Sequence, residues 1–332
     1  MTIGVPPAAL PRGDALAASG PKDERRDPRP LGERPHAVPV AFLVGSARSG
    51  SSLLYKCLAL HPNAAWISNW RSRFPRAPGV DALALIARRF SERTREVWFA
   101  DDNAYVYGGR RKLLDRLYPM PVEGEPVYTR AGVGRPGGPS PRTAEPRHAL
   151  PGAFGTIVGR SGAEVMITKR IANNLRIPLL AEIFPEARFV DLVRDGRAVA
   201  SSLARVDWWP QSHVWWYGGT PEGWAAEGRD PWEICARNWV EEVRAIRGGL
   251  GSVPTKNILR LRYEELIADP LGELSRVARF IGLPLDDEWI GALESLSFPD
   301  RTQRWREILP PAVAEPITAI QRKELITHGY TP

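Results

Sequence analysis

Val40-Ala41-Phe42-Leu43-Val44 is an unbroken apolar run, followed by the small-residue stretch Gly45-Ser46-Ala47-Arg48-Ser49-Gly50. Apolar positions then return at helical spacing from Ser51 to Leu60, until His61-Pro62-Asn63 stops the helix because proline disfavours helical geometry before it. An apolar run without alternation predicts a strand buried on both faces, as in a parallel sheet. The rhythm recurs. Glu164–Thr168 reads as a strand ahead of Lys169 and a helix from Ile177 to Phe184, and Arg188–Val193 as a strand ahead of Arg194-Asp195-Gly196-Arg197 and a helix from Ala198 to Arg205. Ile258–Leu261 precedes Arg262-Tyr263-Glu264-Glu265-Leu266, and Asp269 with Pro270 caps a helix running to Phe280. Trp232 to Ile246 reads as an amphipathic helix that Gly248-Gly249 ends. Alternating strands and helices predict a three-layer α/β/α fold with a central parallel sheet.

Two stretches fall outside the rhythm. Residues 1–37, rich in Pro, Ala, Arg and Asp without periodicity, read as a disordered tail before a single domain over 38–332. Residues 119–155 are rich in Pro and Gly and are expected to be a surface insertion or lid. Helical segments are expected at Ala82–Phe90 and Arg110–Leu117.

Composition narrows the chemistry. The 332 residues carry a formal charge of +7, and arginine far outnumbers lysine, which favours forked contacts to acidic ligands. Basic residues are scattered and no nucleic-acid module is present, so no nucleic-acid partner is expected. Cys57 and Cys235 read as reduced core residues. No stretch of 18 apolar residues and no leader pattern occurs, so neither a membrane span nor export is expected, and the location read from the sequence is cytoplasmic.

The turn after the first strand is built for an anion. Glycines let backbone N–H groups face a ligand, the following helix adds its unpaired donors, and Ser49, Ser51, Ser52 and Arg48 add hydroxyls and a permanent cation. A nucleoside-triphosphate loop of this spacing demands a lysine where Ser51 stands, which argues against a kinase or NTP hydrolase. The turn after Val193 is a second strand-to-helix transition that carries an arginine, Arg194.

Together these segments resemble the sulfotransferase family, with its P-loop-like fold, in the tyrosylprotein and carbohydrate branch. Arg48-Ser49-Gly50-Ser51-Ser52-Leu53-Leu54 is similar to the family's 5′-phosphosulfate loop, with two serines where the usual form has threonines. Val193 through Ser202 is similar to its 3′-phosphate site, with Arg194 and Ser202 on the binding positions. The resemblance implies 3′-phosphoadenosine 5′-phosphosulfate (PAPS) as co-substrate and Lys169 reaching the transferring group beside Arg48; no metal is expected, because a sulfuryl group carries less charge than a phosphoryl group and no clear ligand cluster occurs. The resemblance also implies Tyr263 near the nucleotide and Arg304, before Trp305, on a segment closing over the donor. Positive charge is needed where the leaving oxygen gains negative charge, and Arg48 and Lys169 are the residues expected to supply it.

The base is where the pattern breaks. Relatives carry a glutamate shortly after the first helix, but Trp66-Ile67-Ser68-Asn69-Trp70-Arg71 offers only Asn69, which takes no proton. Asp102 and His213 are the candidate replacements. Trp66, Trp70, Trp208, Trp209, Trp215, Trp216 and Tyr217 would give flat walls for a hydroxyl-bearing acceptor, read as a carbohydrate or glycolipid. The alternatives are a small phenol, alcohol or amine acceptor and a non-catalytic nucleotide-binding module.

Overall fold

A computed structural model describes residues 38–99, 115, 117–134 and 145–332. Five strands form one sheet: β1 (Val40–Val44), β2 (Ala64–Ala65), β3 (Val165–Lys169), β4 (Arg188–Val193) and β5 (Ile258–Arg262). All pairings are parallel and the order is β2-β3-β1-β4-β5. The helices that matter below are α1 (Ser51–Ala59), α2 (Glu125–Arg130), α3 (Ile177–Ile183), α4 (Gly196–Leu203), α5 (Pro231–Leu250), α6 (Tyr263–Ala268), α7 (Pro270–Ile281), α8 (Arg304–Ile308) and α9 (Pro311–Thr327).

Every residue of β1 and β3 is buried, as a sheet covered on both faces requires. Phe42 stacks on Phe189 of the neighbouring strand with ring centroids 5.2 Å apart. The ends of the elements follow the chemistry of their sequence. Asp269 accepts a hydrogen bond from the Gly272 backbone at 3.0 Å to cap α7, whose far end closes on Gly282 at a φ of 87°. Asp230 caps α5 in the same way through Trp232. Cys57 and Cys235 are buried free thiols.

The strand order places the site. Between β3 and β4 the chain steps over β1, so the connections leave β1 in opposite directions and a crevice opens at the carboxyl ends of β1 and β4. Both arginine-bearing turns lie at those ends.

The described parts of the stretch 119–155, residues 119–134 and 145–155, depart from the expected surface placement, and residues 135–144 lie outside the described residues. Met120, Val122, Val127, Tyr128, Ala131, Val133, Leu150 and Phe154 are buried in the main core, and Phe154 stacks on Phe184 at 5.5 Å. Several of its prolines and glycines, Pro126, Pro151, Gly152 and Gly155 among them, lie within helices, where apolar residues recur at one-turn spacing, as at Val127 and Ala131 or Leu150 and Phe154, and those faces need a core to cover them. The tail at 1–37 and most of the expected helix Arg110–Leu117 lie outside the described residues. Among the described residues no helix is long and apolar enough to cross a membrane.

Candidate functional site

The turn from β1 to α1 is held open by backbone geometry. The Asn174 side chain donates to the Gly45 carbonyl at 3.0 Å and accepts from its N–H at 3.2 Å, fixing where the loop begins. A Cβ at Gly45 would stand 2.5 Å from the Leu192 carbonyl, so the loop lies directly against β4. Arg48 and Gly50 then take left-handed conformations, at φ 70° and 92°. A Cβ on Gly50 would come within 2.4 Å of the Tyr263 ring. No side chain caps α1 and no acid stands in its first turn, so the first N–H groups of that helix face the crevice with their partial positive charge.

The second turn, after β4, arrives at the same place. Asp195 caps α4 and takes Arg197 in a two-pronged pair, at 3.0 and 2.8 Å, which leaves Arg194 free of that carboxylate. Arg194 instead donates to the Arg48 carbonyl at 3.2 Å and the Arg301 carbonyl at 3.3 Å, with its guanidinium 4.2 Å over the Tyr263 ring. Arg48 Nε donates to Ser202 Oγ at 2.8 Å, across the gap between the two turns.

The result is one cavity of about 310 Å³, lined by Arg48, Gly50, Ser51, Ser52, Arg194, Ser202, Tyr263 and Arg304 among others. Lys56, Arg205 and Arg301 also line it, giving six cations with no carboxylate among the described lining residues. Lys56 stands one helical turn beyond Ser52 on α1 and donates to the Trp98 carbonyl at 2.5 Å. Arg205 donates to the Ser201 carbonyl; burial, then the like charge of Arg304, pushes its pKa below the usual guanidinium value. The apolar part of the wall comes from Trp98, Phe99, Ile267, Leu296 and Trp305.

The remaining expected residues are elsewhere. Ser49 is fully buried beneath the loop and does not line the cavity. Lys169 ends β3, in register with Leu43 of β1, and its Nζ lies 2.6 Å from Glu123 Oε1. His213 is exposed on a turn away from the cavity wall, and Asp102 lies outside the described residues. Asn69 is committed to the backbone: it donates to the Tyr118 carbonyl at 3.0 Å and accepts from the Met120 N–H at 3.2 Å.

The expected aromatic wall is mostly packing. Trp66 is buried edge-on to Trp98, and Trp70 donates to the Leu117 carbonyl. Trp209, Trp216 and Tyr217 belong to a second apolar cluster, while Trp208 and Trp215 are exposed. None of the seven lines the cavity. Tryptophan pairs this close in sequence fill gaps between helices as readily as they line a pocket, and here packing has most of them.

Sequence reasoning missed Lys56, Arg205, Arg301 and a carboxylate, Glu123, beside Lys169. For Lys56 the signal was present: it lies four residues after Ser52, on the same helix face. Glu123 and Glu125 form a charge cluster with Lys169, Arg170 and Arg176. Burial opposes the charge on Glu123, yet Lys169 and Arg170 together hold its pKa below the usual carboxylate value. Glu242 on α5 is the opposite case, since burial pushes its pKa up against hydrogen bonds from Asn174 and Trp215.

Comparison with known proteins gives the family. The protein is 25% identical over 276 residues to omega-hydroxy-beta-dihydromenaquinone-9 sulfotransferase Stf3 of Mycobacterium bovis and Mycobacterium tuberculosis; the match covers 77% of this chain and 66% of that protein, just under two thirds of its length. It is 27% identical to protein-tyrosine sulfotransferase A of Caenorhabditis elegans over 109 residues, 33% of this chain and 25% of that one. Among solved structures, sulfotransferase STF9 from Mycobacterium avium superposes with a TM-score of 0.53 at 16% identity, covering 89% of this chain and 78% of that chain, which supports the shared fold. The sulfotransferase family profile matches residues 39–287, spanning β1, β3, β4, β5 and both arginine-bearing turns, and with that match the chain belongs to the sulfotransferase family.

Proposed function

We propose that the protein transfers a sulfuryl group from PAPS to an acceptor hydroxyl. The observation that carries this reading is the meeting of the two turns, Arg48 Nε on Ser202 Oγ at 2.8 Å, in one cavity with six cations. A single doubly phosphorylated nucleotide suits such a cavity, because its two anionic ends can meet both turns at once. Arg194 and Ser202 would receive the 3′-phosphate, while Arg48, Ser51, Ser52 and the first N–H groups of α1 would receive the 5′ end. Trp98 and Phe99 supply apolar surface for the base. Gly50 is a cradle that any side chain would fill, since its Cβ would collide with Tyr263. Bound PAPS supplies an activated sulfuryl group. Arg48 and Lys169 are the cations proposed to meet the charge that develops as its bond to phosphate breaks.

The acceptor is proposed to be a hydroxyl on a lipid or carbohydrate, by analogy with the menaquinone derivative in the name of the mycobacterial relative. The reading is tested by calorimetric titration with adenosine 3′,5′-bisphosphate and with ATP. Tight binding of the bisphosphate, with ATP at least about tenfold weaker because it leaves the Arg194 contact unmade, is the expected result. Preferential binding of ATP, or its magnesium-dependent hydrolysis, would overturn the reading.

A further inference from the structure

We infer that Glu123 is the general base for the acceptor hydroxyl, carried to the site by a loop that Asn69 latches. The inference rests on the proposed sulfuryl transfer and answers the question left by Asn69.

The loop is fastened to the segment after β2. Asn69 N–H donates to the Met120 carbonyl at 3.0 Å, Val122 N–H donates to the Ile67 carbonyl at 2.9 Å, and the two Asn69 side-chain bonds close the latch. Immediately beyond, Gly124 turns the chain at a φ of 64°, where a Cβ would lie 2.5 Å from the Ile67 side chain. Glu123 is thereby held between a fixed strand-like segment and a fixed turn. Its two oxygens meet Lys169 Nζ at 2.6 Å and Arg170 at 2.5 Å, and Arg170 is shared with Glu125. An asparagine at residue 69 does not take a proton, but it positions a carboxylate that does.

Direction supports the assignment. In-line displacement at sulfur brings the nucleophile from the side opposite the leaving phosphate. The cavity assigned to the nucleotide is walled by α4 and α6 on the β4 and β5 side of β1, by the segment before α9, and by Lys56, Trp98 and Phe99, and neither Lys169 nor Glu123 lines it. The acceptor therefore enters from the β3 side, and there Lys169 and Glu123 stand at the strand end. In the step, the acceptor oxygen bonds to sulfur as the bond between sulfur and the 5′-phosphate oxygen breaks. The electron pair leaves on adenosine 3′,5′-bisphosphate, and the hydroxyl proton passes to a Glu123 oxygen and then to solvent. Lys169 and Arg170 face Glu123 from the end of β3 and Glu125 faces the same cluster from α2, so the carboxylate stays ionised through neutral pH. It is a weak base in ready form.

The test compares Glu123→Gln and Glu123→Asp with wild type, using radiolabelled PAPS and two probe acceptors, n-octyl glucoside and 4-nitrophenol, at pH 8. Loss of a general base should lower kcat with the alcohol by about 100-fold or more and affect the phenol, already mostly ionised at that pH, by less than about tenfold. Glu123→Asp should recover part of the alcohol rate. Titration with adenosine 3′,5′-bisphosphate should be unchanged in both variants. Equal losses with the two acceptors, or retained alcohol turnover in Glu123→Gln, would overturn the assignment. Failure of the wild type to bind the bisphosphate would instead strike the donor reading, so the two are separable.

Discussion

Arg48 is held in a conformation that L side chains seldom adopt, at a φ of 70°, and such residues cost of order 1–3 kcal/mol where the surrounding fold imposes them. The strain aims its guanidinium across the crevice to Ser202. Replacing Arg48 or Lys169 with alanine is expected to lower kcat by at least about 100-fold, the scale of a lost transition-state charge partner, measured by sulfate transfer from labelled PAPS. Arg194→Ala should act on binding, weakening adenosine 3′,5′-bisphosphate by about 2 kcal/mol in a calorimetric titration. Near-normal turnover in the first two, or an unchanged titration in the third, would remove these roles. At this scale Arg48 and Arg194 were legible because each lies within a few residues of a strand end, where short-range motif and position coincide, whereas Ser202, late on α4, was legible through the family resemblance. Arg205, three residues after Ser202, and Arg301, far along the chain, reach the cavity by the path of the backbone. No local pattern announces that.

At the scale of elements, four of the five strands were readable from their apolar residues, the two-residue β2 was not, and β4 carries a buried charge in its middle. Asp191 sits in mid-strand of β4, buried, with Arg260 at 3.9 Å as a largely exposed partner. Burial raises its pKa from an ordinary 3.8 to about 6, against the pull of Arg260. The folded state therefore binds the proton more tightly than the unfolded chain, and stability from this group falls as pH rises from about 4 to about 6. Above that window the buried charge costs roughly 2–3 kcal/mol at one pKa unit per 1.36 kcal/mol. Asp191→Asn should be more stable than wild type at pH 8 and equal to it near pH 3.5, by denaturant unfolding at both values. A constant difference at the two pH values would show that ionisation is not the cause. The misjudged element is 119–155, whose turn-forming residues dominate its composition while Tyr128 and Phe154 anchor it in the core. Composition averages over a stretch, whereas burial is decided residue by residue.

On the scale of the whole molecule, a net charge of +7 and six cations around one cavity are expected to make binding of the proposed donor an electrostatic event. Binding of adenosine 3′,5′-bisphosphate should weaken by about tenfold or more between 0.05 and 0.5 M potassium chloride, as screening shortens the reach of those charges. Titrations along a salt series check this, and a flat series would mean that the affinity comes from shape and apolar contact instead.

The sequence by itself determined β1, β3, β4 and β5, the helices that follow them and the two arginine-bearing turns, because strand burial, helix capping and left-handed turns are settled by residues within a few positions of one another; the short β2 was set by its pairing to β3. Only the tertiary structure decided that the two turns share one cavity, since that depends on the crossing from β3 over β1 to β4. It also decided which groups stand beside Lys169. Residues 123 and 169 are far apart along the chain and near neighbours in space only because the segment at 67–69 pins the loop that carries the carboxylate.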